Sequence, residues 1–300
     1  MQNTAHVLMI RPLHFTFNKE TAVNNSFQVN SQTENLTALA VGEFDDFVNA
    51  LQKEGIDVTV VEDSAAPHTP DAIFPNNWIS FHAGGKYCLY PMFAPNRRNE
   101  RKAEIINLIR KKFHYHQLID FTSYESEDRF LEGTGSMVLD RDRRIAYACL
   151  SPRTDAVVLH DFCRMMDYKP VVFHATDSAG DAIYHTNVMM CVADRYVVIC
   201  LDSINDVEEK NRVTETIITS GKEMIPISAV QMNQFAGNML QLENTSGEKI
   251  LVMSSAAWHS LNSEQKAKLF GYNHVLHSSL QNIETNGGGS ARCMIAEIHL

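Results

Sequence analysis

A chain of 300 residues with 44% hydrophobic content can bury a sizeable core without disulfides or metals. Its formal charge of −10 opposes a nucleic-acid surface, because phosphate binding needs a positive field, and it weighs against an anionic membrane. Residues 1–11 are too few and too polar for a signal peptide, and no apolar run approaches the ~18–20 residues of a bilayer span, so a cytoplasmic protein is expected.

Strand pairs recur along the chain. Residues 78–83 read as a hairpin with 86–90 across Gly84-Gly85. Residues 136–140 pair with 144–150 across a charged turn, and 187–192 pair with 195–200 across Asp194. Residues 238–242 pair with 249–253 across Thr245-Ser246-Gly247. A last strand, 293–300, would pair with 6–11 to complete a fifth unit. Helical patterns follow most hairpins, at 99–112, 154–168, 203–219 and 263–270, the third with Ser203 as its capping residue. Buried-type strands follow at 171–174 and 224–228.

The first strands begin near residues 78, 136, 187, 238 and 293. That spacing, roughly 50–60 residues, signals a repeat or propeller architecture. Five strand–strand–helix–strand units fit the length, and nothing reads as a linker, so residues 1–300 are expected to form a single domain. The unusual polar residues fall at one place in this frame. Asn76-Asn77, Glu132-Gly133-Thr134, His185, Gly237-Asn238 and Cys293 each lie at the start of a unit. Arranged around an axis, they meet at one end.

Six cysteines are present, at 88, 149, 163, 191, 200 and 293, with no C-x-x-C pair. Five read as small buried hydrophobes in a reducing compartment. Cys293 differs, because Gly287-Gly288-Gly289 lies just upstream. Glycines let a ligand approach the backbone and leave N–H groups free to meet developing charge. Arg292 adds positive potential nearby, although its side chain need not face the thiol. A cysteine nucleophile also needs an acid–base group within reach. Of thirteen histidines, only His185 opens a hairpin at the same end as Cys293. Glu132 could orient that imidazole and fix its tautomer. No H-E-x-x-H or comparable ligand spacing occurs, so no metal site is expected.

At these residues the sequence resembles the superfamily of arginine deiminases, dimethylarginine hydrolases and glycine amidinotransferases. NGGGSARCM at 286–294 is similar to its glycine-rich nucleophile segment, and LEGTGSMV at 131–138 to the segment bearing the histidine's carboxylate partner. YHTN at 184–187 resembles the histidine motif, and PDAIFPNNW at 70–78 the D-x-x-F-x-x-D substrate clamp. The resemblance runs from about residue 70 to the end of the chain and implies the pentein fold, a five-bladed α/β propeller of ββαβ units. It also implies a cofactor-free mechanism. The Cys293 thiolate attacks the central carbon of a guanidino or ureido group, and His185 shuttles the proton. Glu132 holds His185, and Asp71 and Phe74 belong to the clamp.

Two departures carry information. The clamp's second carboxylate falls on Asn77, and an acid of arginine deiminases two residues after the histidine falls on Asn187. A guanidinium wants anionic partners, whereas an amide can both donate to and accept from a neutral ureido group. The expected substrate is therefore citrulline, as in citrulline-utilisation hydrolases, cleaved to ornithine, carbon dioxide and ammonia. With a neutral substrate, activity should rise with pH through the region where the Cys–His pair ionises. Arg11, Arg97, Arg98 and Arg129 compete for the substrate carboxylate, with Arg97-Arg98 placed nearest the clamp; Asn233, Gln234 and Asn238 are pocket-lining candidates. The partner is a small molecule, and a homodimer is left open. The alternatives are an arginine deiminase or amidinotransferase, and a pentein used only for binding. A papain-like protease fits worse, because its cysteine would precede a helix near the N-terminus.

Overall fold

Two strands joined by a tight turn must run antiparallel, and a strand regained through a helical crossover runs parallel to the one it left. A computed structural model of the chain, describing residues 1–300, contains five three-stranded sheets, four of which follow that rule directly. Ile79–His82 pairs antiparallel with Lys86–Leu89, which pairs parallel with Gln117–Asp120. The same pattern joins Val138–Asp140, Ile145–Cys149 and Lys169–Phe173. It recurs in Met190–Val192, Tyr196–Ile199 and Glu223–Pro226, and in Leu240–Glu243, Lys249–Ser254 and His274–Ser278. The remaining sheet joins the two ends of the chain. His6–Arg11 is parallel to Asp57–Glu62 and antiparallel to Ala296–Ile298, with Leu8 opposite both Thr59 and Ala296.

Each crossover carries a helix. Leu36–Lys53 buries Phe44, Phe47 and Leu51 on one face, the spacing of an amphipathic stripe. Ala103–Phe113 buries Ile105 and Ile109. Ala156–Met166 starts where Asp155 accepts from the backbone of Val157 and Val158. Val207–Thr219 starts at Asp206, which accepts from Glu209. The true cap is thus three residues past Ser203, which sits in a short turn, Leu201–Ser203. Asn262 and Gln265 form a capping box for Ser263–Tyr272.

Neighbouring units touch in sequence around a ring. Ala296–Ile298 packs on Ile79–His82, Val138–Asp140 on Met190–Val192, and Met190–Val192 on Leu240–Glu243. Leu36–Lys53 packs on His274–Ser278 and closes the circle. This is the five-bladed pentein architecture. The expected strand starts need one correction. Residues 75–77, 133–136 and 186–188 form single helical turns, so the strands begin one to three residues later, at 79, 138 and 190. These turns stack on one another at one end of the ring.

Candidate active site

The polar residues that open each unit are buried, because those opening turns meet at the axis. Glu132 is completely inaccessible and His185 is 1% exposed. Glu132 Oε2 lies 2.8 Å from His185 Nε2, while its Oε1 accepts from the Phe93 backbone at 3.0 Å. Arg153 Nη1 approaches the same carboxylate to 3.6 Å and Arg97 Nη1 to 3.9 Å. Burial alone would raise the Glu132 pKa, but Arg153, the His185 hydrogen bond and Arg97 together hold it at about 2. An ionised partner at Nε2 fixes the tautomer: Nε2 keeps its proton and Nδ1 is left basic. Burial pushes the His185 pKa down to about 4 against the pull of Glu132, so the resting imidazole is neutral. Gly135 makes this packing feasible. A Cβ there would stand 2.5 Å from Asn77 Nδ2 and 2.8 Å from His185 Nδ1.

Cys293 lies in the turn after the glycines, its N–H donating to Ser290 O at 2.9 Å. Its sulfur receives Asn238 Nδ2 at 3.2 Å and Asn187 Nδ2 at 3.6 Å. Asn238 is pinned by a bond to Asn187 O at 2.8 Å and by one from Arg292 N at 3.0 Å. Burial pushes the thiol pKa up, and the Ser290 backbone, Asn238, Arg292 and Asn187 oppose the rise. The Arg292 side chain turns elsewhere, to Ile295 O and Glu297.

Cys293 and His185 line one narrow cavity, together with Asp71, Asn77, Arg97 and Phe74. Arg97 is 2% exposed and grips Glu100 with two bonds of 2.8 and 2.9 Å. Its Nη1 donates to Asn77 Oδ1 at 2.8 Å and its Nη2 to Phe74 O at 3.2 Å. Asp71 Oδ2 accepts from Asn18 and Thr21, while its Oδ1 is buried with no partner. Burial raises the Asp71 pKa even with Arg97 nearby. The Phe74 ring lies against Gly287 and Gly289, where a Cβ would come within 2.8 and 2.9 Å of it.

Several expected residues sit elsewhere. Asn233 and Gln234 line a different cavity, beside Phe235 and Glu284. Arg11 pairs with Asp45 and Glu62, Arg98 turns to Met92 O and Glu125, and Arg129 pairs with Glu127. Long cationic side chains near clustered acids satisfy themselves locally, and sequence proximity to the clamp does not prevent it. Other residues line the cavity with no motif to announce them. Arg153 is 2% exposed and lies 5.0 Å over the Tyr184 ring. It holds Asn24 Oδ1 at 2.6 Å and Thr21 O at 2.6 Å. Thr21 and Asn25 come from a segment after the first strand that folds over the cavity, with Gln28 bonded to Asn286 O at 2.8 Å. The only sequence signal there is a run of amides and hydroxyls, which reads equally well as a loop.

The fold is that of the pentein superfamily. Residues 11–300 match the family model described as N,N dimethylarginine dimethylhydrolase, eukaryotic. The chain belongs to that family and is an amidino-group hydrolase. Among solved structures it resembles ArgZ, an arginine dihydrolase from the ornithine-ammonia cycle in cyanobacteria, with TM-score 0.77 and 18% identity. That match covers 98% of this chain and 40% of ArgZ, so the chain spans well under half of that protein. The substrate-bound N-terminal domain of ArgZ matches with TM-score 0.76 and 19% identity over 98% of both chains. A dimethylarginine dimethylaminohydrolase adduct with S-methyl-L-thiocitrulline matches with TM-score 0.66 and 15% identity, over 99% of this chain and 100% of that one. No curated protein matches the chain.

Proposed function

We propose that this hydrolase cleaves the ureido group of citrulline, giving ornithine, carbon dioxide and ammonia through a covalent adduct on Cys293. One observation carries the choice of substrate. The carboxylates of the site already have cationic or imidazole neighbours, Glu132 at His185 and Arg153, and Asp71 and Glu100 at Arg97. The side chains bonded to the sulfur are the amides Asn187 and Asn238. A guanidinium would have to share Asp71, the one carboxylate lining the cavity, with Arg97 3.8 Å away, and breaking a buried ion pair costs roughly 3–5 kcal/mol. A neutral ureido group meets the Asn77 amide, which lines the cavity and can donate to its oxygen, while Asn187 and Asn238 hold the sulfur from behind, outside the cavity lining.

The chemistry follows from the tautomer. His185 Nδ1 takes the Cys293 proton, and the thiolate adds to the ureido carbon. The imidazolium, steadied by Glu132, returns that proton to the departing nitrogen, and ornithine leaves a carbamoyl thioester. His185 then takes a proton from water as the hydroxide attacks. The C–S bond breaks, the proton returns to sulfur, and carbamate departs to decompose to carbon dioxide and ammonia. Asp71 Oδ1 is placed to accept from the substrate's N–H groups. Arg97 and Arg153 line the cavity and are the cations an α-carboxylate would meet there. We read residues 1–300 as one catalytic domain. The six cysteines, all free and buried, fit work in the cytoplasm.

ArgZ acts on arginine by its description, so arginine is the competing substrate. Incubation with each amino acid, with ornithine, citrulline and ammonia assayed, decides. Equal ornithine and ammonia from citrulline, abolished in Cys293→Ala, are expected. Citrulline accumulating from arginine would refute the assignment, and ornithine formed from arginine only with an amine acceptor would indicate amidino transfer.

A further inference from the structure

The nucleophile turn rests on a buried acid that plays no part in the chemistry above. The helix Gln281–Gly287 ends at Gly288, whose φ is 64°, and the turn follows at once. Ser290, fully buried, is its pivot. Its carbonyl accepts from Cys293 N at 2.9 Å, and its backbone opposes the rise of the Cys293 pKa on burial. The Ser290 hydroxyl donates to Glu284 Oε1 at 2.6 Å.

Glu284 is 6% exposed. Burial pushes its pKa up to about 7; the Ser254 and Ser290 hydroxyls oppose this, and the one charge acting on it, Glu43, reinforces it. No lysine or arginine compensates it. A buried carboxyl without a cation is costly wherever it stands. Here it stands where the helix, the strand Lys249–Ser254 and the nucleophile turn join.

We propose that Glu284 is a positioning residue for Cys293. Through Ser290, whose carbonyl holds the Cys293 N–H, it fixes the turn, so that the sulfur stays in the cavity it shares with His185. The inference rests on Cys293 being the nucleophile.

The test uses Glu284→Ala, Glu284→Gln, Ser290→Ala and the Glu284→Ala/Ser290→Ala double variant. Misplacement of a reacting atom by a fraction of an ångström is expected to lower kcat about 10- to 100-fold in either alanine variant, with KM nearly unchanged. The double variant should be no worse than the singles, because both break one link. Glu284→Gln keeps an acceptor for Ser290 and should stay within about threefold of wild type. The Cys293 thiol pKa, read from the pH dependence of its alkylation, should rise in both alanine variants. Asn187 and Asn238 from neighbouring units and Arg292 from the turn itself act on the same sulfur, Tyr184 feels its charge and His185 shares its cavity; all are unaltered throughout.

Full kcat in Glu284→Ala, losses that multiply in the double variant, or a glutamine as damaging as an alanine would overturn the proposal. If Glu284→Ala does not fold, Ser290→Ala and Glu284→Gln carry the test. Activity surviving in Cys293→Ala would instead refute the nucleophile assignment, and the alkylation measurement would still read the Glu284–Ser290 link.

Discussion

At the residue scale, the site works by contrasts of environment. Two groups only a few atoms apart are held in opposite states: Glu132 is ionised by Arg153, His185 and Arg97, and His185 is kept neutral by burial. The Glu132 pKa is lowered from 4.5 to about 2, so its stabilisation is complete above the unfolded value and is lost as pH falls through the folded one. Glu132→Gln should therefore cost about 3 kcal/mol near neutrality, by leaving Arg153 facing an amide. The gap to wild type in urea midpoints should close between pH 4.5 and 2, and a gap independent of pH would contradict the ion pairing. Burial raises the Cys293 pKa above its ordinary 9.0, so its thiolate fraction keeps growing with pH. Alkylation of Cys293 should then accelerate without a plateau up to about pH 9; levelling off near neutrality would mean a preformed thiolate–imidazolium pair. Asn187→Asp places a second anion beside the sulfur. Citrulline kcat/KM should fall about 10- to 100-fold, the equivalent of 1–3 kcal/mol for a buried polar group left mismatched, without a matching gain for arginine.

At the element scale, the decisive parts are the short turns that open each unit. Gly133–Ser136 packs against Pro75–Asn77 on one side and Thr186–Val188 on the other. It brings Glu132, Asn77 and His185 together. Gly135→Ala thrusts a methyl group into both Asn77 and His185. Its expected signature is a kcat loss of about 100-fold with a folded spectrum; wild-type kcat would show that the imidazole has room to move. These turns were legible as unit boundaries, but not as turns. Asn187-Val188-Met189 and its counterparts continue the apolar character of the strands behind them, and periodicity does not separate a buried helical turn from a strand start. The capping residue of Val207–Thr219 was misplaced for a related reason. Ser203 and Asp206 are both competent caps, and only the preceding turn Leu201–Ser203 selects the second.

At the scale of the whole molecule, the ring closes by joining the chain's two ends in one sheet. Ala296–Ile298 lies antiparallel to His6–Arg11 and packs on Ile79–His82. Removing residues 296–300 should therefore cost far more than three strand residues. It uncovers the Leu8 and Val7 edge and frees the turn that carries Cys293. Loss of the cooperative thermal transition is expected, and a truncated chain that melts within a few degrees of wild type would show that the ring does not depend on this strand.

Much of this was determined by the sequence alone. Strand spacing announced five like units, and four short motifs named Cys293, His185, Glu132, Asp71 and Asn77, because glycine runs and polar residues at strand starts leave a local signature. Tertiary structure alone decided which arginines enter the site, that Thr21 and Asn25 cover it, and that Glu284 braces the turn. Those side chains are recruited across 100 residues or more in several cases, as in the bond between Arg153 and Asn24, 129 positions apart. Whether a cation pairs with a local acid or turns into a pocket depends on neighbours in space, and no pattern along the chain records them.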